Sequence, residues 1–186
     1  SYRNKQHEDV CHDLIRQYLP SIALSKSSEI IPEYREFERF STTVINAYIQ
    51  PLIDTYLQKL EMSLMESGFA TGVLTVASNG GIMTTKTAQK LPVQTILSGP
   101  AGGVIQAIAV ASRLDDKNII TDDMGGTSTD VCLIRNSVAL ISTENQLEGF
   151  PIKIPQIDIK TIGAGGGSIA WCDIDGSLQV GPNSAG

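Results

Sequence analysis

The stretch Thr121–Asp130, TDDMGGTSTD, gathers most of the residues in this chain that could do chemistry together. Asp122, Asp123 and Asp130 supply carboxylates. Thr121, Thr127, Ser128 and Thr129 supply hydroxyls, and Gly125 and Gly126 lie in the middle, with acids and hydroxyls on both sides. Carboxylates repel phosphate, whereas Gly-Gly-Thr-Ser suits it. Glycines let a ligand approach the backbone closely, and successive N–H groups in such a turn can form an anion-binding nest. The two halves are compatible if a divalent cation lies between the acids and a phosphate. Mg2+ prefers hard oxygen ligands and keeps several waters, so one or two carboxylates suffice. The flanking runs read as strands, which makes the stretch a hairpin tip with Asp123 and Asp130 facing each other across its mouth. The same residue types also make an ordinary tight turn, and the stretch matches neither the Walker A pattern nor GxGxxG.

Other glycine-rich loops are less telling. Thr161–Ser168, TIGAGGGS, fails as GxGxxG because Ser168 stands where the third glycine belongs. The segment after it reads as a strand, whereas a dinucleotide fingerprint opens a helix. This loop either carries ligand contacts on bare backbone or turns a strand corner. Leu97–Val104, LSGPAGGV, opens a helix with Pro100 suited to its first position; close packing of small residues is favoured there over an anion site. Ser78–Gly81 is first of all a turn. His7 and His12 are five apart and point to different faces of a helix, so HEDVCHD reads as a solvated helix rather than a metal site. No Ser-His-Asp or Cys-His arrangement is evident, and Cys132 reads as core.

The elements that must position these residues follow from periodicity and punctuation. Residues 5–19 form a polar helix ended before Pro20. Residues 41–67 form a long helix with an apolar stripe of Ile45, Ile49, Leu52, Tyr56, Leu60 and Leu64. Ser41 or Thr42 suits its N-cap and Gly68 its end, and Pro51 predicts a kink. Beyond Gly68 glycine becomes frequent. GVLTVAS, VQTIL, NIITDD, TDVCLIRN, SVALIST, IPQIDIKTIG, SIAWCDI and SLQV read as strands, with NIITDD buried. TTKTAQKL and the run after SGP read as helices. The expected architecture is α/β, a mixed sheet with helices, organised as a helical segment 1–70 and a lobe 71–186.

Bulk properties set limits. The chain has 186 residues, 41% of them apolar, enough for a core, and a net charge of −6. No Lys/Arg stripe exists, which argues against nucleic acid and anionic membrane surfaces. Three cysteines without a CxxC argue against a disulfide framework and for a cytoplasmic setting. No segment is apolar for long enough to span a bilayer, and the start lacks signal-peptide features. Both ends read as cut, so an internal fragment is expected.

EYREFERFSTTVINAYI, SNGGIMT, LSGPAGGV, DMGGTSTDVCLI and DIKTIGAGGGSIAW…VGPNSAG occur in this order. Together they resemble the hydantoinase A / 5-oxoprolinase family, which includes an acetone carboxylase subunit, from about Glu33 to the C-terminus. The resemblance implies an actin-like ATPase fold with two ribonuclease H-like lobes and Mg-ATP bound between them. Each lobe would give a DxGGT hairpin; DMGGTSTD looks like the second, and the first is absent. The implied chemistry is ATP-driven opening of a cyclic amide, of hydantoin or 5-oxoproline type, through a phosphorylated carbonyl. By resemblance Asp123 would hold Mg2+ (or Mn2+) or its waters. Gly125, Gly126, Thr127 and Ser128 would contact phosphate, and Asp130 would orient the hairpin or the metal shell. Asp158 would serve in metal binding or water activation, and Gly165 and Gly166 would add nucleotide contacts. A second, hydantoinase B-like subunit or domain is the implied partner. The ATP-using subunit of a ketone carboxylase, or a non-catalytic nucleotide-binding module, is the alternative. Two positions depart from the family pattern. Lys160 stands where a histidine is frequent, and a protonated lysine has no lone pair to offer a metal. Asp122 stands where an apolar residue is usual.

Overall fold

The computed structural model describes residues 2–185. The chain forms two compact units, one made of the residues up to Ser98 together with Ser142–Gln156, the other of Gly99–Ile141 together with the residues from Ile157 onward. The first unit begins with helices α1 (Gln6–Tyr18), α2 (Ser27–Ile30) and α3 (Glu36–Glu66). The antiparallel hairpin β1 (Leu74–Val76) and β2 (Ile82–Thr84) follows, then α4 (Thr85–Lys90) and a 3-10 turn at Pro92–Thr95.

Helix α3 is longer than the periodicity predicts and buries a different face. It starts at Glu36, so Ser41 and Thr42 are buried inside it rather than capping it. The Thr42 hydroxyl donates to the Glu38 carbonyl at 2.7 Å and accepts the Lys153 N–H at 2.9 Å. The inward line runs Thr42, Ile45, Asn46, Ile49, Ile53, Leu57 and Leu60. Leu52 and Tyr56, expected in the core, are 66% and 60% exposed. The true face contains polar Thr42 and Asn46, so counting apolar residues alone cannot find it. The helix runs on through Pro51. It ends as expected: Gly68 takes φ +88°, its N–H reaches Met65 O and that of Phe69 reaches Leu64 O, a Schellman closure.

The VQTIL segment is not a strand. Its backbone is drawn into a 3-10 turn because Asn46 Oδ1 accepts the Val93 N–H at 3.2 Å, while the Ser78 hydroxyl reaches the Gln94 and Ile96 carbonyls at 2.7 and 2.6 Å. Residue 70 falls inside the first unit, because Leu57 of α3 shares a buried cluster with Ala77, Met83 and Ala88.

Helix α5 (Ser98–Arg113) leads into the second unit, with Pro100 at its third residue rather than its first. Strands β3 (Ile119–Met124), β4 (Thr129–Arg135) and β5 (Val138–Ala139) follow. SVALIST divides into β5 and β6 (Ile141–Ser142), where the chain passes into the first unit. There β7 (Asn145–Leu147) and β8 (Phe150–Ile152) make an antiparallel hairpin that the sequence reading lacked. IPQIDIKTIG likewise divides, into β9 (Gln156–Ile157) and β10 (Ile159–Ile162); β11 (Ser168–Cys172) and β12 (Leu178–Ser184) close the chain. The α/β fold, helices first and sheets after, is present.

The main sheet has the order β10-β4-β3, with β5 also on β4, and these ladders are antiparallel. Its core joins Ala101 and Val104 of α5 to Cys132, Ile134 and Ile157. Strand β3 is edge-like and largely exposed instead of buried, with Ile120 at 69%. Asn136 and Ser137, both at positive φ, make the two-residue turn from β4 to β5.

Candidate functional site

TDDMGGTSTD forms a hairpin tip. The register pairs Thr121 with Cys132, Asp123 with Asp130 and Met124 with Thr129, and Gly125 N–H closes the tip on Ser128 O at 2.8 Å. Directly paired residues project to the same face, so the Asp123 and Asp130 carboxylates share one face. The N–H groups of Gly126, Thr127 and Ser128, and the hydroxyls of Thr127 and Ser128, have no hydrogen-bond partner among the described residues. A cavity of about 360 Å3 lies further down the strands, at the acids; Gly126, Thr127 and Ser128 do not line it. Pro100 and Gly103 of α5 line one side, and Thr121, Asp123 and Asp130 line the other.

The third strand completes the row. β10 pairs Thr161 with Asp130, and the Thr161 hydroxyl donates to Asp130 Oδ1 at 2.6 Å. Thr161, Asp130 and Asp123 therefore lie side by side across three strands. On the other sheet face Lys160 and Asp122 flank Val131, each paired with it from its own side. Lys160 Nζ holds Asp158 Oδ1 at 2.9 Å, and Asp158 N–H goes to Leu140 O. Asp158 does not line the cavity at the hairpin.

The glycine loop after β10 is built against the hairpin. Gly166 N–H donates to Gly125 O at 2.9 Å and Gly167 N–H to Gly126 O at 2.8 Å. Gly165 N–H donates to the Ser168 hydroxyl oxygen at 2.8 Å, and the Thr129 hydroxyl donates to Ala164 O at 2.6 Å. A Cβ on Gly165 would fall 2.6 Å from Gly125 O and 2.8 Å from Ser128 N. Absence of a side chain is what lets the two backbones meet. The amides of Gly165 and Gly166, expected to face a nucleotide, are engaged within the protein. Thr161 and Gly167 were not singled out from sequence. Their spacing from the hairpin is long, and only the register shows their place.

The N-terminal HEDVCHD segment is structural. Glu8 accepts from the Ser27 hydroxyl and the Ser28 N–H, each at 2.9 Å, and from Arg39 at 3.1 Å. No group of three or more His, Cys, Asp or Glu side chains that could hold a metal occurs among the described residues. A cation at the hairpin would rest on Asp123 and Asp130, with water and ligand oxygens completing its shell. That is a donor set Mg2+ accepts. The tip N–H groups, without partners among the described residues, fit a phosphate chain next to it. Burial pushes the Cys132 thiol up, in keeping with its place in the core. No helix among the described residues is long and apolar enough to cross a membrane.

The sequence model of the hydantoinase/oxoprolinase family matches residues 39–186. Caprolactamase subunit alpha of Pseudomonas jessenii is 38% identical over 186 residues, covering 100% of this chain and 27% of the relative. The 5-oxoprolinase of Saccharomyces cerevisiae is 36% identical over 190 residues, covering 100% and 14%. A crystal structure of the ATP-dependent caprolactamase from Pseudomonas jessenii superposes with a TM-score of 0.86 at 37% identity, covering 100% of this chain and 27% of that one. A nucleotide-free structure of an ATP-dependent acetone carboxylase gives 0.80 at 30%, with the same coverage. The chain thus spans about a quarter or less of the length of these relatives.

Proposed function

The chain belongs to the hydantoinase/oxoprolinase family, and on that premise we propose that its β3–β4 hairpin holds the phosphates of ATP in an enzyme that opens cyclic amides. The observation that carries this reading is the tip itself. Three successive N–H groups without a partner among the described residues stand at the end of two strands whose facing residues are Asp123 and Asp130. The N–H groups of Gly126, Thr127 and Ser128, with the two hydroxyls, would hold phosphate oxygens. Asp123 and Asp130 would hold Mg2+ (or Mn2+) or its waters. ATP, when bound, supplies the phosphoryl group that activates an amide whose resonance makes its carbonyl a poor electrophile.

The chain's own residues act by positioning and by charge. Gly165 and Gly166 serve the nucleotide indirectly, by bracing the hairpin. Asp158, held by Lys160 outside the cavity at the hairpin, is given no part in holding the phosphates or the cation. The cavity wall from α5 limits access at the acids. The proposed partner is a second, hydantoinase B-like subunit, in line with the subunit naming of the caprolactamase relative. The three cysteines Cys11, Cys132 and Cys172 are free thiols, which suits a reducing cytoplasm.

Similarity to an acetone carboxylase supports a second reading, use of ATP on a ketone and bicarbonate. ATP hydrolysis measured with 5-oxoproline, a hydantoin, caprolactam, and acetone plus bicarbonate separates the two. Calorimetric titration of Mg-ATP tests the site. Asp123→Asn and Gly126→Val are each expected to abolish binding while the fold is kept, since a Cβ on Gly126 meets nothing within 4 Å. Undiminished binding by both variants overturns the hairpin as the phosphate site.

A further inference from the structure

We propose that Thr161 is a positioning residue of this site, fixing the Asp130 carboxylate so that a cation can lie between it and Asp123; this rests on the Mg-nucleotide reading above. The row Thr161, Asp130, Asp123 runs across β10, β4 and β3 in direct register. An ionised carboxylate has two oxygens and about four acceptor positions. Thr161 takes Oδ1 from the β10 side at 2.6 Å, the short range of a charge-assisted O–H···O bond. Oδ2 has no partner among the described residues and is left for a ligand.

The anchor matters because Asp130 and Asp123 are like charges in directly opposed positions, an arrangement that drives the two side chains apart. Nothing basic restrains either one, since neither forms an ion pair among the described residues. Thr161 does so without adding positive charge. A lysine or arginine there would compete with the cation; a hydroxyl holds the carboxylate and leaves the negative field intact. Thr161 also sits two residues before Gly163, at the root of the loop that braces the hairpin tip. One strand end therefore sets both the acid and the backbone cradle.

The test uses Thr161→Val, which keeps the shape and removes the donor, and Thr161→Ser, which restores a hydroxyl. Mn2+ and Mg-ATP affinities are measured by calorimetry, and the Asp130 side chain is followed by crystallography of the unliganded variants. Thr161→Val is expected to bind Mn2+ and Mg-ATP roughly five- to tenfold more weakly, with Asp130 turned to another rotamer and the melting curve little changed. Thr161→Ser is expected to recover most of the loss. Unchanged affinity in Thr161→Val, or an Asp130 rotamer that does not move, overturns the positioning role. Failure of the parent protein to bind Mn2+ or Mg-ATP would sink the nucleotide reading instead, while a moved Asp130 in the crystals would still establish the anchor.

Discussion

Asp123 and Asp130 stand directly opposite one another on adjacent antiparallel strands, with the Thr161 hydroxyl on the far side of Asp130. Like charges in that relation destabilise a sheet. Asp123→Asn is therefore expected to make the unliganded protein slightly more stable, by roughly 0.2–1 kcal/mol. The same change is expected to remove the stabilisation that Mg2+ or Mg-ATP would give the parent at the proposed site. Urea unfolding with and without Mg-ATP checks both signs, and an unliganded Asp123→Asn protein that is less stable contradicts the account.

Glycines at the site divide by what surrounds them. Gly165→Ala drives a Cβ to 2.6 Å from Gly125 O, where only backbone can give way. A loss of about 1–3 kcal/mol is expected from such overpacking. Gly126→Ala meets open space and should stay within about 0.5 kcal/mol of the parent. Comparable losses at the two positions would mean that the loop does not brace the hairpin.

Asn46 is fully buried and joins three segments. Its amide donates to Ser25 Oγ at 2.9 Å and Lys90 O at 3.2 Å, and its oxygen accepts from Val93 N–H. Asn46→Leu strands the Val93 N–H and the Lys90 carbonyl. A cost of about 2–3 kcal/mol in denaturant unfolding is expected, since a buried unsatisfied group costs about 1–3 kcal/mol. Leu57→Ala, a purely apolar deletion in the same unit, should cost about 2–5 kcal/mol; an Asn46 effect near zero would show that the network is not needed.

Burial alone would raise the Glu8 carboxyl, but the Ser28 N–H and the Ser27 hydroxyl outweigh it and hold the group at about 2, below its ordinary 4.5. A depressed folded value means stability that is present above the unfolded value and lost as pH falls through the folded one. Lys26 similarly holds Asp9 below the usual carboxylate range. Stability to urea is therefore expected to fall between about pH 4.5 and pH 2, and Glu8→Gln to flatten part of that slope. A slope unchanged by Glu8→Gln would remove Glu8 as its source.

Much of the hairpin was legible because its signals are local. Two strand runs, a Gly-Gly pair and an acid at each strand end place Asp123 opposite Asp130 by counting alone. Thr161 was not legible, because its partner is fixed by the register of β10 on β4 and not by spacing along the chain. Gly165 and Gly166 were expected at the ligand for a related reason. Composition says that a backbone is bare without saying whether a ligand or another backbone comes to it. On α3 the apolar stripe misled, since the inward face carries Thr42 and Asn46 while Leu52 and Tyr56 lie outside. Strand β7 was missed because Asn145–Leu147 lacks a β-branched or aromatic residue. Asp122 and Lys160, the two departures in the sequence, lie on one sheet face on either side of Val131. That gives the extra carboxylate an opposite charge on its own face.

The excursion of residues 142–156 into the first unit also fixes an order of events during synthesis. β3 and β4 are neighbours in sequence and can pair as soon as both have left the ribosome, whereas β10 emerges only after that intervening hairpin has been made. The tip of TDDMGGTSTD therefore exists for a time with its glycine brace and Thr161 still unmade. Contacts that span a long separation are slow to form, so the brace closes on a hairpin that is already there.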